Sequence, residues 1–141
     1  MSGYLLDTNC ISELVRPKPD PRVVKWLEAI DEATVYLSVL TLGEIRKGVA
    51  FLAQGKKRAA LESWLETDLP ARFEGRILPI DAAIADRWGS IAARSDESGR
   101  ALPVIDGLLA ATALQHNLTI VSRNVNDFRL PSLRILNPWL S

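Results

Sequence analysis

The sequence predicts an α/β fold, a three-layer sandwich in which helices flank both faces of a mostly parallel central sheet. Short apolar runs typical of buried strands alternate along the chain with longer stretches that have helical spacing. Several connections between these runs are long enough for the crossovers that parallel strands require. The sequence contains no internal repeat, low-complexity tract or linker, so we expect a single domain over residues 1–141.

Local signals place the elements in chain order. Apolar or β-branched runs that end in polar residues indicate strands at 3–7, 34–39, 76–80, 118–123 and 133–136. Helices are indicated by apolar spacing together with capping residues. The predicted helices cover 9–15, a segment from Pro21 with Asp20 as N-cap, 41–54, 56–69, a segment from Asp81 to about Arg94, and 103–116. The polar segment 95–100 is predicted as a loop.

Composition limits the classes of function. The formal net charge is zero, so a strongly basic nucleic-acid footprint is absent, although a local basic patch is compatible with this balance. The single cysteine, Cys10, excludes an intramolecular disulfide and fits a reducing compartment. Neither a signal peptide nor an apolar run of about 18 residues is visible. We therefore expect a soluble cytoplasmic protein.

The sequence contains few of the residues that several other types of active site require. His116, the only histidine, stands at the tail of an apolar helix and is more typical of a helix end than of a base. No sequence motif supports a catalytic Cys–His pair of Cys10 with His116. The phosphate-binding patterns GxxxxGK[ST] and GxGxxG are absent, and too few Cys and His residues are present for a zinc site. The four tryptophans indicate core or interface packing: Trp26, Trp64, Trp88 and Trp139.

A carboxylate, Asp106, stands near the head of the apolar segment LPVIDGLLAATAL. One interpretation is local, because an acid near a helix N-terminus gains about 0.3–1 kcal/mol from the helix dipole. With Pro103 at the first helical position, Asp106 falls at about the fourth, too late for an N-cap. The rest of the helix is apolar almost all round, which predicts burial. Asp106 therefore lies near the core, with a structural and a functional interpretation both open.

Other acids share this ambiguity. Asp7 ends the first predicted strand, and it could either cap the next segment or belong to a site. Glu44 falls on a helix face with Leu40, Gly48 and Phe51, although a solvated salt bridge is the plainer interpretation. Farther along, Asn124 and Asp127 could simply be turn residues, and this interpretation is stronger for Asp127.

Considered together, the acids predict a metal centre. Ligands of open parallel sheets bind outside the carboxyl ends of the strands, where Asp7, Glu44 and Asp106 could meet. Two carboxylates about 4 Å apart repel by ~4 kcal/mol at an effective dielectric constant of 20, so such a cluster takes up protons or cations. Oxygen ligands suit Mg²⁺ or Mn²⁺, which can lower the pKa of a bound water and stabilise charge on a phosphoryl oxygen.

Four blocks of the chain resemble the PIN-domain ribonucleases, and most closely the VapC/FitB type of toxin from bacterial type II toxin–antitoxin pairs. The blocks are LLDTNCISEL, LSVLTLGEIRKGV, LPVIDGLLAATALQHNLTIVSRNVNDF and LNPWL. Each block alone is weak, but their combined order and spacing are specific and cover essentially the whole chain. The resemblance implies a PIN-like fold and an endonuclease that cleaves RNA with Mg²⁺ or Mn²⁺.

The resemblance also implies roles for single residues. Asp7, Glu44 and Asp106 match the first three acids of the family, which bind the metal. The fourth position, often Asp, is Asn124 here, which puts a second metal position in doubt. Asp127 could compensate for the missing acid, although it does not match the family position. Thr8, from the D-T-N block, would help to orient a ligand or the scissile phosphate.

The implied partners are an RNA substrate and a cognate antitoxin, of ribbon-helix-helix type in FitB-like members. Operator DNA would be contacted mainly through the antitoxin, which agrees with the zero net charge. The family commonly forms homodimers. An antitoxin basic side chain could inhibit by entering the acidic pocket.

Two other functions are compatible with the residues. The neutral Asn124 motivates a non-catalytic binding module that would be the co-repressor partner of an antitoxin. A phosphoacceptor receiver domain is the weaker alternative, because such domains usually pair two acids at the end of the first strand. In this chain Thr8 and Asn9 follow Asp7.

Overall fold

Five parallel strands form the central sheet of the protein, for which a computed structural model describes residues 3–140. The strands are β1 (Gly3–Leu6), β2 (Val35–Ser38), β3 (Ile77–Leu78), β4 (Leu118–Val121) and β5 (Ile135–Leu136). Their order across the sheet is β3-β2-β1-β4-β5, and every neighbouring pair is parallel. Leu6 of the central strand β1 pairs with Val121 of β4, so the carboxyl ends of these two strands lie side by side.

Helices cover both faces of this sheet. They are α1 (Thr8–Leu14), α2 (Pro21–Ala29), α3 (Val39–Ala50), α4 (Lys56–Ser63), α5 (Leu69–Arg72), α6 (Ala82–Glu97) and α7 (Val104–His116). A π-helical turn (Trp64–Asp68) joins α4 to α5, and short 3-10 turns lie at Glu32–Thr34, Val125–Phe128 and Pro138–Leu140. No helix in residues 3–140 is long and apolar enough to cross a membrane.

The alternating side chains of β1 divide the core into two layers, because successive residues of a strand point to opposite faces. Leu6 packs on the face that is covered by the helices α1 to α5. Leu5 packs on the opposite face against Leu109 and Ala113 of α7. Outside α7, the helix α6 adds a third cluster through Ile84 and Ile91. The predicted three-layer α/β sandwich with a parallel sheet is confirmed.

Some predicted boundaries were wrong. α3 begins at Val39, two residues earlier than predicted, because the Ser38 hydroxyl caps it by accepting a hydrogen bond from Leu40 N–H at 3.0 Å. The helix ends at Ala50, before the predicted end at Gln54. α6 continues to Glu97, so the predicted loop 95–100 is helical in its first half. The outer strands β3 and β5 are short, as edge strands with one neighbour often are.

The start of α7 also differs in a way that concerns the site. Pro103 is the N-cap residue and not the first helical residue, because its backbone is extended (ψ 145). Asp106 is therefore the third helical residue, within the first turn, where the helix dipole favours a negative charge.

Candidate active site

Asp7 lies at the carboxyl end of β1, where the chain turns into α1. Its Oδ1 accepts a hydrogen bond from the Thr8 backbone N–H at 2.8 Å, and its Oδ2 accepts one from the Ser122 hydroxyl at 2.7 Å. The residue is buried, with 8% of its surface exposed. Burial raises the pKa of Asp7, and repulsion from Glu44 and Asp127 adds to this, while the two hydrogen bonds act in the opposite direction.

Glu44 comes from α3, the helix that follows β2 and packs against α1. It is half-buried, and its Oε1 accepts a hydrogen bond from the hydroxyl of Thr8. Since Thr8 directly follows Asp7, this bond fixes the Glu44 carboxylate relative to the end of β1. The helix face predicted for Leu40, Glu44, Gly48 and Phe51 is partly buried only near Glu44. Gly48 is exposed, and Phe51 is 79% exposed.

Asp106 approaches the same edge of the sheet from α7, on the opposite side from Glu44. It is half-buried, and burial raises its pKa from 3.8 to about 6. Repulsion from Asp7, Asp127 and Glu44 contributes further to this shift. The structure therefore brings the carboxylates of Asp7, Glu44 and Asp106 close enough to repel one another, from three separate elements.

The segment after β4 contains both Asn124, the predicted fourth position, and Asp127. The Asn124 backbone N–H donates to the Ser122 hydroxyl at 3.0 Å, but its exposed side chain makes no hydrogen bond within residues 3–140. Asp127, in the 3-10 turn three residues farther on, is among the charges that raise the pKa of both Asp7 and Asp106. Asp127 thus contributes negative charge that is felt at the site, while Asn124 stays the predicted fourth position.

Sequence reasoning missed the role of Ser122. Its hydroxyl is fully buried and joins three groups: it donates to Asp7 and accepts from Asn9 Nδ2 at 3.3 Å and from the Asn124 N–H. Its position in the sequence could have indicated this role, since Ser122 directly follows β4 as Asp7 directly follows β1. Only the pairing of these two strands shows that the positions meet.

The donor chemistry of the site suits a hard divalent cation, because its groups are carboxylate, hydroxyl and amide oxygens. Within residues 3–140, no three His, Cys, Asp or Glu side chains lie close enough together to ligate one ion directly. Mg²⁺ is typically held by one or two protein carboxylates and retains several waters, so direct contact with all three acids is not required. Burial is the main cause of the raised pKa values of Asp7 and Asp106, and repulsion between the carboxylates adds to it; a bound cation would offset both effects by favouring the ionised forms.

Residues that were not assigned to the site lie elsewhere. His116 is exposed in the last turn of α7, as predicted for a helix end. Cys10 is buried, its Sγ donates to the Val121 carbonyl at 3.2 Å, and burial raises the pKa of the thiol. The tryptophans pack in the apolar clusters as predicted; Trp26, for example, stacks edge-on against Tyr4 at a centroid distance of 5.1 Å.

The fold and the site together define an α/β domain with an acidic centre at the carboxyl edge of a parallel sheet. The chain belongs to the PIN-domain family, whose sequence profile matches residues 4–131. It is 43% identical to Toxin FitB of Neisseria gonorrhoeae over 96% of this chain and 97% of that protein. It is also 36% identical to the VapC ribonuclease Y4jK of Sinorhizobium fredii, over 96% of each chain.

A solved structure gives the same result. The structure of FitAB bound to an IR36 DNA fragment contains a chain that superposes with a TM-score of 0.90 at 41% identity, over 96% of this chain and 95% of that one. The predicted resemblance to PIN-domain toxins of the VapC/FitB type is therefore confirmed.

Proposed function

We propose that this protein is the toxin of a type II toxin–antitoxin pair and acts as a metal-dependent endoribonuclease. The observation that carries the proposal is the convergence of Asp7, Glu44 and Asp106 on one edge of the sheet, with raised pKa values for the two aspartates. Similarity to Toxin FitB and to a VapC ribonuclease supports both the toxin role and RNA as the substrate.

Asp7, Glu44 and Asp106 would hold Mg²⁺ or Mn²⁺. Such a cation, when bound, activates water for attack on the phosphodiester and stabilises the charge that develops on a phosphoryl oxygen. The Ser122 and Thr8 hydrogen bonds favour the ionised form of Asp7. The hydroxyl of Thr8 orients Glu44, and the exposed amide of Asn124 is free to contact the substrate phosphate.

The partners proposed for this chain follow from the same similarity. A cognate antitoxin of the ribbon-helix-helix type would silence it, and operator DNA would be bound through that antitoxin. The DNA in the FitAB structure supports this arrangement. A basic side chain of the antitoxin would pair with the desolvated carboxylates around Asp106, a strong type of contact. We further propose a homodimer that acts in the cytoplasm.

The experiment is cleavage of RNA by the purified protein with Mg²⁺ or Mn²⁺ and with EDTA. We expect cleavage with either metal, none in EDTA, and none for Asp7→Asn or Asp106→Asn in the presence of metal. Asp86→Asn is the matched control, because it removes one carboxylate from the exposed face of α6. Circular dichroism of every variant checks the fold, and wild-type cleavage rates for both site variants would disprove the assignment.

A second candidate function is a co-repressor that binds the antitoxin without cutting RNA. Two observations favour it: Asn124 replaces an acid, and no three carboxylates within residues 3–140 are close enough to ligate one ion directly. The two functions differ in the effect of expression without the antitoxin. A nuclease toxin arrests growth and Asp7→Asn relieves the arrest, whereas a co-repressor leaves growth unchanged in both cases.

A further inference from the structure

A cleft of about 510 Å³ lies next to the acidic edge, between the C-terminal end of α6, the segment before α7 and the residues after the 3-10 turn at Val125–Phe128. Three arginines line it, Arg94, Arg100 and Arg129, together with one acid, Asp127. The protein has no net charge, so this concentration of guanidinium groups is a local basic patch on a neutral chain.

The charges of this patch are largely uncompensated. The exposed guanidinium groups of Arg94 and Arg100 make no hydrogen bond or ion pair within residues 3–140, while that of Arg129 donates to the neutral Asn126 Oδ1 at 2.7 Å. Six arginines of the described chain outside the cleft are instead paired with carboxylates; Arg72, for example, forms an ion pair with Glu32 at 2.7 Å. Unpaired guanidinium groups that share one cleft are well placed to bind phosphates, which they contact in a planar, bidentate way.

The cleft lies near the acidic site, although none of the three site carboxylates lines it. Asp127 lines the cleft and also belongs to the charges that raise the pKa of Asp7 and Asp106. Pro103, another lining residue, is the N-cap of α7 and stands three positions before Asp106. A polyanion bound along the arginines would therefore extend toward the carboxylates.

The rest of the lining is apolar. Ile91, Leu102 and Leu130 form part of it, and no aromatic side chain is among the lining residues described. Such a surface offers contact to ribose and to base faces, while the arginines take the phosphates. Since no aromatic side chain is present among these described residues to stack on bases, recognition would depend on the phosphates, which several arginines along a cleft can contact at more than one position.

We infer that this cleft binds the sugar–phosphate backbone of single-stranded RNA, with Arg94 and Arg100 on phosphates that flank the bond presented to the carboxylates. The inference rests on the proposed function in one respect: the RNA runs toward Asp7 and Asp106 because these residues are proposed to take part in cutting it. Its physical reason is that an acidic site repels the polyanion it has to cut, so cations must hold the neighbouring phosphates. The binding step can be measured separately from cleavage.

The test is fluorescence anisotropy of a labelled single-stranded RNA oligonucleotide over a range of salt concentrations, in EDTA so that metal-dependent cleavage does not interfere. We expect Arg94→Gln/Arg100→Gln to bind more weakly and to lower the slope of log affinity against log salt by about 1.4, since each phosphate contact contributes about 0.7. Arg94→Lys/Arg100→Lys retains both charges and should recover most of the slope. Lys56→Gln/Lys57→Gln, on the exposed start of α4, removes the same charge elsewhere and should leave the slope unchanged.

An RNA affinity and a salt slope for Arg94→Gln/Arg100→Gln that equal those of the wild type would overturn the inference. If the same variant then lost binding of poly-glutamate, the cleft would be a site for an acidic protein segment. Wild-type protein that never cuts RNA would refute the proposed nuclease function but not the charge dependence of binding. Thermal melting checks that the variants are folded.

Discussion

The hydroxyl of Ser122 donates a 2.7 Å hydrogen bond to Oδ2 of Asp7 and so joins the residues that follow β4 and β1. The parallel register that pairs Leu6 with Val121 brings the two side chains together. Because Ser122 is fully buried and Asp7 nearly so, the bond forms in a region from which water is largely excluded. Its effect on the Asp7 carboxylate is correspondingly large.

Ser122→Ala should raise the pKa of Asp7 further and destabilise the fold at neutral pH. A hydrogen bond to a charged group contributes about 1.5–3 kcal/mol to the free energy of unfolding, and we expect a loss in this range. The carboxyl carbon of Asp7, followed by NMR as pH is varied, and urea unfolding measure the two effects.

Thr112→Val is the control for Ser122→Ala, because it removes another fully buried hydroxyl, one that donates to Leu108 O within α7. It should change stability without changing the pKa of Asp7. An unchanged pKa in Ser122→Ala would show that the hydrogen bond does not favour the ionised carboxylate.

Local sequence signals predicted those parts of the fold that depend on near neighbours in the chain. The N-caps Asp20 and Asp81 are confirmed, each by a bond to a backbone N–H two or three residues on, at 2.9 Å in both cases. The burial of α7 was also predictable, because its apolar residues surround the helix.

The contacts that organise the site were not predictable in the same way. Ser122 and Asp7 are 115 positions apart, and Thr8 and Glu44 are 36 apart. Which strands pair, and in which register, decides these contacts, and no local pattern specifies strand order. The electrostatic effect of Asp127 on Asp7 likewise depends on the 3-10 turn after β4, whose direction the sequence does not specify.

The pH dependence of stability should show the raised pKa of Asp106. Its pKa in the folded protein is about 6, against an ordinary value of 3.8, so the folded state holds a proton that the unfolded chain releases between these values. The stabilisation is complete below about pH 4 and is lost as pH rises through about 6. Relative to wild type, Asp106→Asn should therefore gain stability across this window.

Urea unfolding at a series of pH values in EDTA measures this difference. Asp86→Asn on the exposed face of α6 corrects for the loss of one negative charge. A constant difference between Asp106→Asn and wild type from pH 4 to pH 7 would mean that Asp106 does not titrate in this range.

Asp127→Asn tests whether this residue supplies the fourth charge of the site. Removing its repulsion should lower the pKa of both Asp106 and Asp7, since its charge raises each of them. We also expect weaker binding of Mn²⁺, because the site loses negative charge. NMR titration measures the pKa values, and the paramagnetic effect of Mn²⁺ on water relaxation measures binding.

The control for Asp127→Asn is Asp96→Asn, near the exposed end of α6, which is not among the charges that shift Asp106. It should leave both pKa values and Mn²⁺ binding as in wild type. Equal results for the two variants would remove Asp127 from the acidic cluster.

Gly107→Ala, compared with Gly89→Ala, should separate the effect of close packing between α6 and α7 from the general preference of helices for alanine over glycine. A methyl carbon at Gly107 would lie 2.9 Å from Cδ1 and 3.0 Å from Nε1 of Trp88 on α6, so the two helices or the indole must move. We expect a loss of about 1–3 kcal/mol, typical of overpacking. Gly89→Ala, which meets no atom within 4 Å and is exposed on α6, should instead add about 0.5–1 kcal/mol. Urea unfolding of both variants gives the comparison.

Because Gly107 follows Asp106, a displaced α7 should also change the pKa of that carboxyl, whereas Gly89→Ala should not. Equal stabilisation by both substitutions would mean that Trp88 moves aside freely and that the close approach of the helices does not position Asp106.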